Sequence, residues 1–417
     1  MQTDNRIFSF DIVIFVLLFG LLPIDMLNGY LLRDVGVIAT ISVAQLYKFS
    51  LLGLLFIRIN STEKVILLSI FSLLLIPTAY QVVKSFNIHL IFTDTVKITK
   101  YLGSVLAFFY FRSIFINKGH LLKWVYRWIL FSFIILAINI FLKLLGIGFP
   151  MYVLGTIGIG SKGFFYAGNE VSAVLIILSS FLMYWYQFYD KKMSFIIVGV
   201  LAVLTGLYLT SKTAILGTIF TFLYFFILKS NRKKSSIKKK LSFLLSFFIL
   251  LPLGLYIIVE YLKTSDVMER FSYFWNELDI YTFILSNRNT FLFDFIEVFK
   301  KEYNIIEMII GVGQSTFETL NHNHIIELDF FDIYFTYGVI GVSLFLFYIS
   351  FLLIQSKIKS LNIKTYLFSS YSKYIAILLI ALSFLSGHVF NSGMAAIYMG
   401  CVFSLMYYKS KHENKFS

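Results

Sequence analysis

The sequence predicts an all-α polytopic membrane protein with about twelve transmembrane helices and one large extracytoplasmic loop. Three observations carry this. Of 417 residues, 59% are hydrophobic and only 14% are charged, whereas a soluble domain carries about 25% charged residues. Twelve apolar stretches approach the roughly 20 residues that cross a bilayer core. The loops between them alternate in Lys/Arg density, the asymmetry that retains basic loops on the cytoplasmic side.

The expected spans are 7–31, 37–57, 64–83, 93–111, 121–145, 170–189, 193–209, 212–228, 241–262, 330–354, 370–388 and 391–408. The first run is long, lacks a small-residue cleavage site and leads into further spans, so it reads as a retained helix. With the N-terminus inside, cytoplasmic segments collect Arg58 and Lys64, then Arg112, Lys118, Lys123 and Arg127, then Lys191 and Lys192. The run from Lys229 to Lys240 and the tail lysines Lys409, Lys411 and Lys415 fall on the same side. Both termini are therefore expected in the cytoplasm. The chain divides into helices at 1–262, an outer loop at 263–329, and helices with a tail at 330–417.

The net charge of +14 reads as positive-inside anchoring. Without a soluble basic domain, nucleic acid is excluded as a partner. The single Cys401 excludes an internal disulfide and a cysteine-based metal site.

Two expected outer segments exceed a turn: the glycine-rich 146–169 and the long hydrophilic 263–329. In the latter, Met268, Phe271, Phe274 and Trp275 share one face of an expected helix over 265–278. Phe291, Phe295, Val298 and Phe299 alternate with Asp294, Glu297, Lys300 and Lys301 over 290–303, an amphipathic helix on the membrane face or over a cavity. Ser286 or Asn287 can cap its start.

Polar residues near the outer ends of spans include Asp94, Lys97, Lys100, Lys162, Asn169, Glu170, Lys212, Arg288, His322, His324, Glu327, Asp329 and His388. A charge in a membrane helix costs about 3 kcal/mol or more, so each points to function. If the chain is helical from about Asn323, Glu327 lies one turn from His324 and can orient it as a general base. The bland alternative is an interfacial histidine pair. A metal site from His322, His324 and a carboxylate is the weaker reading, because HxH on an irregular loop is a weak signal. Lys212 can snorkel, Arg288 can pair with Asp294 or Glu297, and Asn169 and Glu170 can cap the following span. Asp94, Lys97 and Lys100 can form one self-satisfied helix face or extend an anion site.

Four motifs occur in order: GFFYAGNEVSAVL at 163–175, TSKTAILG at 210–217, SNRNTFLF at 286–293, and GVGQSTFETLNHNHIIELDFFDIYFTYGVIG at 311–341. Over about 160–345 the chain resembles the O-antigen polymerase and ligase superfamily of Wzy and WaaL types, especially Wzy-like capsule polymerases. The resemblance implies a GT-C-like glycosyltransferase in the bacterial cytoplasmic membrane, acting at its outer face. Its donor and acceptor would be undecaprenyl-diphosphate-linked oligosaccharides, joined with inversion and without cofactor or metal. A chain-length regulator is a candidate partner.

Carried over by position, the loop histidine is His324, with His322 as runner-up. The loop arginine is Arg288, and the helix-start cation is Lys212, where many members have Arg. Lys provides a point charge in place of a fork. Glu327 or Asp329 would orient the imidazole, while Asn169, Glu170, Lys97 and Lys100 would extend the substrate site. A ligase is the near rival, and a lipid-linked oligosaccharide flippase or transporter is the rival from another class. Lys48 and Lys143, cations near span ends, fit the transferase reading least.

Overall fold

The computed structural model describes residues 3–36, 42–154, 157–232, 279–322, 324–362, 365–387 and 389–409. Helices occupy each expected span except 241–262, which lies outside the described residues, as does the expected helix over 265–278. The first expected span is a bent pair, α1 (Thr3–Phe19) and α2 (Leu21–Arg33), meeting at 44°. There follow α3 (Val43–Arg58), α4 (Ser61–Ser85), α5 (His89–Asn117), α6 (Leu122–Phe141), α7 (Gly168–Phe188), α8 (Lys192–Leu209) and α9 (Lys212–Arg232). The long loop contributes α10 (Ile280–Leu285), α11 (Arg288–Glu302), α12 (Ile305–Ile310) and α13 (Gln314–Leu320). The chain then re-enters the bundle as α14 (Asp329–Ser360), α15 (Ser369–Ser386) and α16 (Ala396–Ser404). By length and apolar composition, five described helices can cross a membrane, or six with the bent pair, and three more are shorter apolar helices. The fold is an all-α polytopic membrane protein.

The bundle is built around α7, where every residue from Val171 to Gln187 is buried. Small residues let it sit there: Ser172, Ala173, Ser179 and Ser180 bring neighbouring backbones close and carry hydroxyls that need partners in an apolar interior. Ser172 donates to the Ser211 hydroxyl at 2.9 Å, and Ser180 shares a hydrogen bond with Tyr371 at 3.1 Å. A second close crossing pairs Gly103 and Ala107 of α5 with Ala396 and Gly400 of α16. A Cβ at Gly400 would lie 2.5 Å from that of Ala107, so these helices approach only through small residues spaced four apart.

The expected span 330–354 runs through the G-x-x-G at 338–341. The helix α14 covers it and continues to Ser360, but with non-helical torsions at Gly338 (φ 60, ψ −154). Backbone groups freed inside a membrane protein need internal partners. The Thr336 carbonyl accepts from the Gly313 amide at 2.9 Å, and the Phe335 carbonyl accepts from the Tyr303 hydroxyl at 3.1 Å. The turn at Gly311 presses directly on this kink, since a Cβ there would sit 2.2 Å from the Thr336 carbonyl oxygen.

The loop helices have a core of their own. Phe295 of α11 packs with Tyr303, Val312, Phe317, Ile326, Leu328 and Phe335. The amphipathic helix thus buries its apolar face against its own loop and α14. Asn287 takes the N-cap position with φ 70, but its side chain makes no capping bond. Among the links that fasten this unit to the bundle, three centre on the carboxylates of Asp94, Glu318 and Glu307. Asp94 of α5 accepts from the Thr78 hydroxyl at 2.5 Å and the Ser315 amide at 2.7 Å. Lys97 pairs with Glu318 at 2.5 Å, and Glu307 accepts from Gln81 and Lys84 of α4 at 2.6 and 2.8 Å. Asp94 and Lys97 therefore do not satisfy one another along one helix face; both reach across to the loop.

At the opposite end of the bundle, Asp11 is buried and held by Arg58, Lys118 and Tyr110. Between α6 and α7, the glycine-rich segment folds into a two-stranded antiparallel hairpin, β1 (Tyr152–Leu154) and β2 (Ile157–Ile159).

Candidate functional site

The loop end of α7 is where the singled-out polar residues meet. α7 begins at Gly168, and Ala167 in the N-cap position supplies no side-chain cap. Asn169 and Glu170 do not cap the helix; they reach sideways to other elements. The Asn169 amide donates to Glu327 Oε2 at 3.2 Å. The same oxygen accepts from Arg288 Nε at 3.2 Å and Nη2 at 2.7 Å. Arg288 is buried, and its Nη1 also donates to the Leu285 carbonyl at 3.4 Å. Arg288 therefore pairs with Glu327, on the far side of the loop, and not with Asp294 or Glu297 of its own helix.

Glu170 faces the other side. Its Oε2 accepts from the Ser392 hydroxyl at 2.7 Å and the Met394 amide at 2.9 Å, and the ammonium charges of Lys100 and Lys48 act on it. Lys48 itself pairs with Asp25 at 2.6 Å, which gives that cation inside α3 its counter-charge. The structure thus joins Asn169, Glu327 and Arg288 in one cluster and Glu170, Lys100, Lys48, Asp25 and Ser392 in a second, side by side at the first turn of α7.

Lys212 opens α9, as the motif position implied, and is exposed. Its neighbour Ser211 bonds Ser172, one turn along α7 from Asn169, which sets the start of α9 against the first turns of α7.

The histidines stand apart. Residues 324–328 are not helical, so the expected one-turn spacing of His324 and Glu327 on a common face is not formed. Glu327 adopts a left-handed conformation, φ 65, uncommon for a residue with a side chain. A distant contact accompanies it: a Cβ at Gly387 would lie 1.9 Å from the Glu327 carbonyl oxygen. That turn sends the Glu327 carboxylate to Arg288 instead of His324. Asp329 is buried, and its Oδ2 accepts the amides of Val389 and Phe390 at 3.0 and 2.9 Å. Asp332, which the sequence analysis did not single out, accepts the amides of Ile326 and Leu328 at 3.0 and 3.1 Å.

His322 and His324 are both exposed. The His324 backbone is held in a turn with Asn321, and its imidazole bonds to no described residue. Among the described residues, no three His, Cys, Asp or Glu side chains gather as a metal-binding group. His388 lies outside the described residues.

A multi-pass helical bundle with cations and carboxylates gathered under a folded loop at one end is suited to holding an anionic group at the bilayer surface. Residues 274–413 match the family described as O-antigen ligase like membrane protein, which supports the O-antigen ligase/polymerase superfamily. The matched third of the chain contains Arg288, His324, Glu327 and α14 to α16, but not Asn169 or Lys212. It points to membrane glycan processing by an enzyme of glycosyltransferase type. No curated protein and no solved structure matches the chain.

Proposed function

We propose that the protein is a polysaccharide polymerase that joins lipid-diphosphate-linked oligosaccharide repeat units at the outer face of the cytoplasmic membrane. The observation that carries this is the buried Arg288 paired with Glu327, whose same oxygen Asn169 also binds, on the side of α7 where Lys212 opens α9. A glycan leaving a diphosphate needs cations where negative charge develops, and fixed electrostatic stabilisation is often the largest catalytic contribution. Glu327 keeps the guanidinium aligned before substrate arrives. Arg288 and Lys212 then receive the diphosphate, with the start of α9 adding a favourable dipole.

In the proposed step, an acceptor hydroxyl oxygen bonds to the anomeric carbon of the donor. The carbon–oxygen bond to the diphosphate breaks, and its electron pair leaves with the lipid diphosphate. The hydroxyl proton passes to His324, exposed on its turn, or to His322 next to it. One in-line displacement inverts the anomeric centre. Neither Glu327 nor Asp329 orients the imidazole in this scheme; the bound acceptor does.

The test is a gel of surface polysaccharide and lipid-linked glycan from cells lacking the protein. A polymerase predicts single repeat units in place of long chains, restored by wild type but not by Arg288→Ala. Long chains left on the lipid carrier would make it a ligase. An unchanged pattern would refute both and bring a flippase or transporter forward.

A further inference from the structure

Near α7, but on the hairpin side, two cations meet with no counter-charge paired to them among the described residues. The Lys162 ammonium donates to the Tyr166 carbonyl at 3.1 Å, and Arg33 Nη2 approaches the same oxygen at 3.5 Å. The Arg33 guanidinium lies 5.2 Å from the Phe149 ring centre and 5.1 Å from that of Tyr166. Neither cation makes an ion pair among the described residues, although Lys48, Arg58, Lys84, Lys97, Arg112, Lys118 and Arg288 all do.

Lys162 is only 6% exposed, and its segment is firmly held. Asn139 accepts from the Phe164 amide at 3.0 Å and donates to the Lys162 carbonyl at 3.5 Å. Ser161 donates to the Ile140 carbonyl at 2.8 Å, and Phe149 and Gly163 form a bridge. Burial, helped by the Arg33 charge, lowers the Lys162 pKa to about 8. The loop thus holds the buried Lys162 ammonium beside the exposed Arg33 guanidinium at the end of α2, a like-charge approach whose cost a bound anion would offset. Beside them the Tyr166 ring is 54% exposed and offers a flat apolar face.

We infer that Arg33, Lys162 and the Tyr166 ring form a second anion subsite, separate from Arg288 and Lys212, that takes a negatively charged group next to a sugar ring. The inference rests on the glycan-transferring reading above and deepens it. Two sources share this chemistry: the carboxylate of an acidic sugar, and the diphosphate of a second lipid-linked molecule.

The test uses the full-length protein in lipid nanodiscs. Acylation of Lys162 is followed by mass spectrometry against pH, with glucuronate, inorganic diphosphate, or chloride at matched ionic strength. An anion between the two cations restores the ammonium form. A rise of one pH unit in its midpoint cuts labelling at pH 8 about fivefold. Slowing by glucuronate alone identifies an acidic sugar; slowing by diphosphate identifies the lipid-linked group. In Arg33→Gln the midpoint itself rises, and the anion effect should vanish. Equal labelling with all three anions, or an unchanged anion effect in Arg33→Gln, overturns the subsite. The glycan gel separates this from the functional reading, which fails independently if Arg288→Ala cells keep normal polysaccharide.

Discussion

Replacing Arg288 by alanine separates a catalytic cation from a structural ion pair. The Arg288 side chain is 9% exposed and its Glu327 partner 33%, so the pair lies between two regimes. Breaking a buried pair costs about 3–5 kcal/mol, and an exposed pair is worth about 0–1 kcal/mol. The carboxylate left behind is a third exposed and can rehydrate, which places the stability cost at about 1–2 kcal/mol. If the guanidinium stabilises a departing diphosphate, transfer falls by about 100- to 1,000-fold, the usual loss for one such donor. Arg288→Lys keeps the charge but cannot reach both Glu327 and the Leu285 carbonyl with a planar fork, so its rate should fall between wild type and alanine. The assay is glycan transfer in nanodiscs, using lipid-linked repeat units extracted from cells lacking the protein, with thermal unfolding measured alongside. Transfer within about threefold of wild type, together with a lowered unfolding temperature, would refute the reasoning and leave Arg288 a structural residue.

His324→Ala should change stability by no more than about 0.5 kcal/mol, because the imidazole is exposed and bonds to no described residue. It should nevertheless slow transfer by about 100-fold or more, and an unchanged rate would pass the base role to His322. Asp329→Ala strips two buried amides of their acceptor and should cost about 2–4 kcal/mol, visible in thermal unfolding whether or not substrate is present. Burial works to raise the Glu307 pKa, but bonds from the Asn304 amide, Lys84 and Gln81 outweigh it and hold it below the usual 4.5. Its contribution to stability is therefore full above pH 4.5 and fades as the pH falls through the lower folded value. Hydrogen-exchange protection in α12, measured against the intrinsic rate at each pH, should fall on acidification, and in Glu307→Gln that fall should disappear.

The helices were legible because apolar run length is a local property, and α11 was legible because its phenylalanines repeat at helical spacing. What the sequence hid was long-range. Glu327 meets Arg288 across 39 positions and Asn169 across 158, and no local pattern reports such partners. The expected His324–Glu327 pairing assumed a helix at 323–328, but Gly387, packed on the Glu327 carbonyl, accompanies a left-handed turn there instead. Asp329 looked like a site residue because a carboxylate near a span end suggests function, yet its Oδ2 accepts two backbone amides, and Asp332, which carried no such signal, accepts two more. Of the i, i+3, i+6 set on α5, only Lys100 remains near the substrate side. The kink at Gly338 had a signal in its G-x-x-G, but the expected span 330–354 ran through it as one helix.

These ties divide the loop into a fixed part and a looser one. Asp94, Lys97 and Glu307 lock α12 and α13 onto α4 and α5, while Arg288 and Glu327 lock the start of α11 onto α7. A cation held this way has little freedom to collapse onto a water-filled site, which suits a group that must meet charge developing on a leaving diphosphate. The turn carrying His324 is different. It is exposed, and Asn321 bonds within the turn and to the Phe317 and Glu318 carbonyls of the preceding helix. In the proposed reaction that asymmetry has a use: the donor diphosphate docks against a rigid floor, and the base adjusts to whichever acceptor hydroxyl is presented. Tightening the turn should therefore change acceptor preference more than donor affinity.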